Sequence, residues 1–247
     1  MEKYIHYCWF GGKPLPKLTK KCIKSWQKYL PDFKIIEWNE SNVDLEECPF
    51  IKDAYENKKW AFVADYARTK AIYEYGGIYL DTDMMIVKPL DFLMKDTTFV
   101  GKEDTHMVNL AIWGEKNKHS KFSKEMLDYY KKLPGLNLND IYSNSIPRIA
   151  TKLLEKKGLN SKNDDSQVLD DDIHVYSREY FYPLSYNFQN NVFTDNTCTI
   201  HYFDASWTPK WEQRENKIIR TFGEKRGRKI IKFKNNVKGK IKKIIKK

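Results

Sequence analysis

The feature that most constrains this chain is the stretch Trp60 to Leu90, WAFVADYARTKAIYEYGGIYLDTDMMIVKPL. No Gly or Pro interrupts Trp60 to Tyr75, and Phe62, Val63, Tyr66, Ala67 and Ala71 recur at helical spacing, which predicts a helix. Gly76-Gly77 supplies the left-handed residue on which such a helix ends. Ile78-Tyr79-Leu80 is a short strand former bounded by that turn. Asp81 and Asp83 follow, with only Thr82 between them.

Two carboxylates this close repel one another, and apolar Leu80, Met84 and Met85 raise the cost of their charge. Alternate residues of an extended chain share a side, so Tyr79, Asp81 and Asp83 are expected to face one site. A divalent cation on carboxylate oxygens at roughly 2.1 Å would remove the repulsion. Mg²⁺ and Mn²⁺ favour a few carboxylates together with substrate phosphates, so a diphosphate completes the set. A strand ending in a polar turn also contains Asp, and a lone Asp-x-Asp does not decide between the two. Asp65 and Arg68 add to it: three residues apart, they share a face of the preceding helix. A solvated ion pair is the usual fate of such a pair, but Ala64, Tyr66 and Ala67 around it are not a solvated composition.

The order A-D-x-x-R, then Gly-Gly-x-Tyr-x-Asp-x-Asp, resembles the sugar-binding DXD region of retaining glycosyltransferases. It is most similar to family 32, the capsular-polysaccharide and initiation-specific mannosyltransferase-like enzymes, and more distantly to the large clostridial glucosylating toxins. The resemblance implies an α/β chain with a GT-A-like nucleotide-diphospho-sugar transferase fold, a mixed, mostly parallel sheet flanked by helices. It also implies retention at the anomeric carbon.

At the start of the chain, Tyr4 to Phe10 reads as a first strand stopped by Gly11-Gly12, Lys17 to Tyr29 as a helix, and Phe33 to Trp38 as a second strand. Nucleotide-binding α/β halves begin this way, with ligands beyond the carboxyl ends of the strands. The pattern I-H-x-x-W-x-G, then S-W-x-x-x-x-P-D, is similar to the opening of the same family. It places Tyr7 and Trp9 near the nucleotide base, with Trp9 as a stacking platform. A core aromatic is the alternative for Trp9 and the preferred reading for Trp26 and Trp38.

Further on, Thr98 to Gly101, Val108 to Trp113 and Ile173 to Tyr176 read as strands, and Ser120 to Lys132 as a helix. The resemblance places Asn109 near the donor sugar, although an Asn bonding backbone at a strand start fits equally. Ser145 to Thr151 occupies a loop where relatives carry Thr-Gly-Pro, and here Ile146 replaces the Gly. Leu159 to Asp172 is an acidic surface connection. Imidazole suits Mn²⁺, yet a lone His at a strand end fits a structural role as well. The family's His-x(4)-Ser-Trp pattern is present as His201, Ser206 and Trp207. It implies His201 as third metal ligand beside Asp81 and Asp83, with Ser206 and Trp207 closing over the diphosphate. Asp65 and Arg68 would hold the donor sugar, flanked by Tyr79 and Asp81. No enzyme nucleophile emerges.

The net charge of +11 is unevenly spread. Residues 217–247 hold 14 Lys/Arg against one acid, Glu224, a net +13, which leaves −2 for residues 1–216. The division expected is therefore a transferase domain over 1–216 and a basic tail over 217–247. In the tail Ile230, Phe233, Val237, Ile241 and Ile244 recur at steps of 3, 4, 4 and 3 on a Lys-rich helix, the pattern of an interfacial membrane helix. Gly239 weakens that helix, consistent with its forming on the membrane. The neutral body and the scarcity of tail aromatics argue against nucleic acid. Four cysteines without a Cys-x-x-Cys pair fit reduced thiols. Met1 to Phe10 is too short and polar for a secretory leader, and no apolar run approaches the ~20 residues of a membrane span.

The expectation is a Mn²⁺- or Mg²⁺-dependent hexosyltransferase, most simply with a UDP-hexose donor. It would act on a lipid-linked or capsular glycan from the inner face of the plasma membrane. The Ile-, Lys- and Asn-rich composition fits an A·T-rich bacterial genome. Two alternatives are a metal-dependent phosphohydrolase, for which an Asp-x-Asp would normally follow an early apolar strand, and a non-enzymatic adaptor acting through the basic tail.

Overall fold

Strands β1 (Tyr4–Cys8) and β2 (Lys34–Trp38) pair in parallel in the computed structural model, joined by helix α1 (Lys17–Tyr29). The structure describes residues 1–186, 188–204 and 210–245. After α2 (Pro49–Glu56), the central stretch forms α3 (Trp60–Tyr75) and β3 (Gly77–Leu80) over the residues expected. There follow β4 (Met84–Ile86), β5 (Thr98–Lys102), β6 (Val108–Glu115), α4 (Lys121–Lys131) and α5 (Ile146–Glu155). Then come β7 (Gln167–Leu169), β8 (Ile173–Tyr176), the single turn α6 (Arg178–Phe181) and β9 (Thr199–His201).

Seven strands form one sheet in the order β2-β1-β3-β6-β5-β8-β7. From their pairings β2, β1, β3, β5 and β8 run one way and β6 and β7 the other, so the sheet is mixed with most strands aligned. β4 and β9 form a separate antiparallel ribbon. Trp26 and Trp38 are core residues, as preferred from the sequence. α3 packs with α2 and α4, edge-on through Tyr66 and Tyr130, with Phe50 against the same Tyr130 ring. Burying each such side chain stabilises the fold by about 2–3 kcal/mol.

The turn from α3 into β3 is held from β1. His6 Nε2 meets Gly76 O at 2.9 Å while His6 Nδ1 accepts from Trp38 Nε1 at 3.1 Å. Gly77 is required here: its φ is +86°, and a Cβ would lie 2.6 Å from Tyr4 O.

Three segments differ from expectation. Ser145 to Thr151 is not a loop, because Ile146 begins α5, with Pro147 in a first turn that needs no N–H and Ile149, Ala150 and Leu154 buried. The acidic connection contains β7, an edge strand on β8. The first strand also ends at Cys8, two residues early, as Trp9 turns its N–H to Trp38 O at 2.9 Å.

By contacts the chain divides into two units, Met1–Pro183 with Phe193–Tyr202, and Leu184–Val192 with Phe203–Lys247. The second is helical, α7 (Lys210–Phe222) packing with α8 (Glu224–Ile245), which runs through Gly239. Within it the Arg220 guanidinium lies 4.5 Å over the Phe188 ring. Trp211, Phe222 and Phe233 are exposed on these basic helices. No described helix is long and apolar enough to cross a membrane.

Candidate active site

The aligned strands of the sheet end at one edge, and Asp65, Arg68, Tyr79, Asp81, Asp83, Asn109 and His201 gather there, where open α/β sheets bind ligands. β3 delivers Asp81, whose N–H donates to Ala111 O at 2.8 Å. Its carbonyl accepts from Met84 N at 2.9 Å, closing a tight turn over Asp81 to Met84. The two aspartates therefore meet in a turn, and not on the extended strand that alternation predicted. The chain leaves the main sheet at this point to enter the ribbon with β9.

That ribbon brings together three residues that could hold a metal ion. Met84 lies opposite His201, and Tyr202 N–H donates to Asp83 O at 3.1 Å. His201 Nε2 comes to 3.2 Å from Asp83 Oδ1. Asp81, Asp83 and His201 each offer a ligand atom within 4.8 Å of the others. Burial alone would lower the His201 pKa, but Asp83 first, then Asp81 and Glu103, outweigh it and raise it. Burial raises the Asp81 carboxyl, with Arg68 opposing and Asp83 adding.

Asp65 and Arg68, on the inner face of α3, are both buried. Arg68 Nη2 lies 3.1 Å from Asp65 Oδ1 and 3.1 Å from Asp81 Oδ1, and Nη1 donates to Leu110 O at 3.1 Å. The guanidinium stacks 4.5 Å over Tyr79, whose hydroxyl donates to Asp81 Oδ1 at 2.8 Å. Arg68 thus bridges the helix acid to the first motif acid. Asp65 Oδ2 accepts from Ile146 N at 3.3 Å, and burial, with Arg68 opposing, pushes Asp65 up to about 7.

A bulge in β6 serves the same centre. Val100 of β5 faces Trp113, yet the next residue, Gly101, faces Asn109, so Leu110, Ala111 and Ile112 are extra on β6. Their backbone groups are taken by site residues: Leu110 O by Arg68 and Ala111 O by Asp81 N–H. Ala111 N–H donates to Asn109 Oδ1 at 3.0 Å. The Tyr182 hydroxyl donates to Asn109 O at 2.8 Å and accepts from Ile112 N at 3.2 Å. The Tyr182 ring stands edge-on to His201, centroids 5.6 Å apart. Gly101 makes room for it, since a Cβ there would lie 2.9 Å from Tyr182 Cε2 and 2.5 Å from Phe181 Cδ2.

Near the β1 end, Tyr7 is buried, donates its hydroxyl to Glu37 and packs on Trp26. Trp9 is half-buried, its indole N–H on Lys13 O. Ser206 and Trp207 lie outside the described residues. Two residues were not assigned from the sequence. Tyr182, just after α6, and Glu103, after β5, carry no motif signal of their own. Glu103 Oε2 accepts from Asn109 Nδ2. Burial raises its pKa against His201 and that hydrogen bond, with Asp81 a further repulsive neighbour.

The charges fit a divalent cation. Asp65, Asp81, Asp83 and Glu103 face one guanidinium and one imidazole. Two carboxylates with an imidazole are a donor set suited to Mn²⁺ or Mg²⁺.

Comparison with known proteins agrees in kind. The family described as "Glycosyltransferase sugar-binding region containing DXD motif" matches residues 16–100. An uncharacterized glycosyltransferase of Acanthamoeba polyphaga mimivirus is 30% identical over 223 residues, 83% of this chain and 83% of that protein. Mannosyl phosphorylinositol ceramide synthase SUR1 of Saccharomyces cerevisiae is 32% identical over 138 residues, 53% of this chain but 36% of its own length. Among solved structures, the PaToxG glycosyltransferase superposes with a TM-score of 0.52 at 18% identity, over 65% of this chain and 72% of that one, a likeness of fold.

Proposed function

The chain belongs to the glycosyltransferases with a DXD sugar-binding region and has their GT-A fold, and from that premise we propose that it transfers a hexose from a nucleoside-diphosphate hexose to a glycan hydroxyl. The donor is a UDP-hexose in the first instance, the transfer proceeds with retention, and the acceptor is lipid-linked, as in capsular or other surface polysaccharide assembly. The observation that carries this reading is the convergence of Asp81, Asp83 and His201 beside the buried Asp65–Arg68 pair. A phosphohydrolase would need Asp81 as nucleophile, but its Oδ1 is already taken by Arg68 and Tyr79.

Asp81, Asp83 and His201 would hold Mn²⁺ or Mg²⁺, and the bound ion supplies positive charge against the departing diphosphate. Arg68 and Tyr79 hold Asp81 in one orientation. Asp65 and Arg68 form the floor on which the donor sugar's hydroxyls are placed, orienting the anomeric carbon. Trp9 offers the ring face for the base, and Asn109 an amide hydrogen for the sugar.

A membrane-borne acceptor is supported by two facts. The yeast relative's name joins a mannosyl group to a phosphorylinositol ceramide, a lipid. The basic helices α7 and α8 expose Trp211, Phe222 and Phe233, which suits an anionic lipid interface at the cytoplasmic face.

The test is thermal stabilisation by a panel of UDP- and GDP-hexoses with and without Mn²⁺, scored together with donor hydrolysis. At a hundred times Kd the donor should add about 2.7 kcal/mol, a Tm rise of roughly 5–10 °C, only with metal. Asp83→Ala and the double variant Asp81→Ala/Asp83→Ala should abolish it. If no nucleotide sugar moves Tm with or without metal, the reading fails.

A further inference from the structure

One carboxylate at this edge has no part in the reading above. Glu103 lies just past β5, and its position is set by backbone: its N–H donates to Met107 O at 2.9 Å. The following turn is pinned by Asp104 Oδ1, which accepts from His106 N and Met107 N at 2.8 Å each. Glu103 Oε2 takes a hydrogen of Asn109 Nδ2, and Asn109 Oδ1 is occupied by Ala111 N–H. The amide is therefore fixed in orientation, with its second Nδ2 hydrogen uncommitted. Among the described residues no hydrogen bond reaches Glu103 Oε1, although the side chain is half-buried and shares the field of His201 and Asp81.

Glu103 is not in the group whose ligand atoms lie within 4.8 Å of one another, although His201 and Asp81 act on its charge. An ionised carboxylate only accepts hydrogen bonds, and Oε1, reached by solvent, is open to a donor that arrives with a ligand. Once a diphosphate occupies the Asp81, Asp83 and His201 end, the group one bond further out is the transferred sugar. Its hydroxyls are the O–H donors that meet this position. Resting on the transferase reading, we propose that Glu103, braced by Asn109, accepts a hydrogen bond from a hydroxyl of the donor hexose and selects the sugar by it.

Glu103→Gln separates this role from a structural one. Gln has one acceptor oxygen where Glu has two, so with that oxygen on the Asn109 amide it presents an NH₂ donor where Glu103 presents an acceptor, while keeping shape and volume. Binding to wild type, Glu103→Gln and Glu103→Asp would be measured by calorimetry with Mn²⁺. The ligands would be UDP and GDP alone, the nucleotide hexose that binds wild type, and its monodeoxy forms. Mn²⁺ and bare nucleoside diphosphate should bind Glu103→Gln within twofold of wild type, whereas the nucleotide hexose should weaken tenfold to a hundredfold. One monodeoxy sugar that wild type rejects should bind the variant as well as the parent sugar does. Glu103→Asp, which retains both oxygens, should recover part of the affinity. Equal nucleotide-hexose affinity in wild type and Glu103→Gln overturns the proposal, as does a parallel loss of bare nucleoside diphosphate, which would place Glu103 on the metal side. A wild type that binds no nucleotide hexose is a different failure, that of the transferase reading itself.

Discussion

Replacing Arg68 by Met tests the buried bridge most directly. Met fills much of the volume and keeps the helix, but removes the guanidinium that touches both Asp65 and Asp81. It also strips Leu110 O of its donor inside the β6 bulge. Breaking a buried ion pair from one side costs about 3–5 kcal/mol, and an orphaned buried carbonyl about 1–3 kcal/mol. The groups share one network, so these do not add, and about 4 kcal/mol is the expected loss. For a chain of this length that lowers Tm by roughly 8–16 °C, measured by calorimetry without metal or nucleotide. Arg68→Lys should lie between, keeping the charge but not the fork that spans two acids and a carbonyl. A double-mutant cycle with Asp65→Asn should show coupling above about 1 kcal/mol. A Tm drop below about 3 °C for Arg68→Met would refute the reasoning, because it would mean the pair is solvated after all.

Other outcomes follow from neighbouring features. His6 is buried, and burial, partly offset by its bond to Gly76 O, lowers its pKa from 6.5 to about 4. Its contribution is complete above pH 6.5 and is lost between about 6.5 and 4, worth about 3 kcal/mol. Urea unfolding of wild type minus His6→Asn across that window should show this slope, and a flat difference would contradict it. Tyr182→Phe keeps the ring on His201 but releases Asn109 O and Ile112 N. It should cost about 1–3 kcal/mol in urea and reduce donor hydrolysis while leaving Mn²⁺ affinity intact. Changing Lys225, Lys229, Lys232 and Lys234 together to Gln should weaken cosedimentation with phosphatidylglycerol vesicles a hundredfold or more, at about 1 kcal/mol per charge. Donor hydrolysis in solution should be unaffected, and equal binding to neutral and anionic vesicles would count against the membrane reading.

What was legible in the sequence was local. α3, the Gly76-Gly77 stop and β3 follow from spacing and backbone chemistry within a few residues, and they were placed correctly. Asp65 and Arg68 were read as neighbours because three residues along a helix make them so. Their contact with Asp81 was hidden, since it depends on how α3 lies against β3. The turn over Asp81 to Met84 was hidden too: Met84 and Met85 look like strand, and are strand, but paired with β9 and not continuing β3. The β6 bulge has no sequence mark, because VNLAIW reads as an unbroken strand. Gly101, its one trace, reads as the last residue of a strand until Tyr182 is set beside it. Glu103 was missed for the same reason, its partner Asn109 being reached only across that hairpin. Ile146 was read as a loop residue through a family pattern, when Pro147 and the apolar residues after it already spelled a helix start.

The pairing of β4 with β9 also sets an order of manufacture. The imidazole of the Asp81, Asp83 and His201 set arrives on a strand that the ribosome makes long after the two aspartates. A nascent or prematurely terminated chain that stops before Thr199 has the helix, the glycines and both acids, yet has neither the ribbon nor the third ligand. Closing so long a loop costs chain entropy that only the finished strand repays. A copy that stops short of Thr199 thus lacks the imidazole that stands beside Asp81 and Asp83.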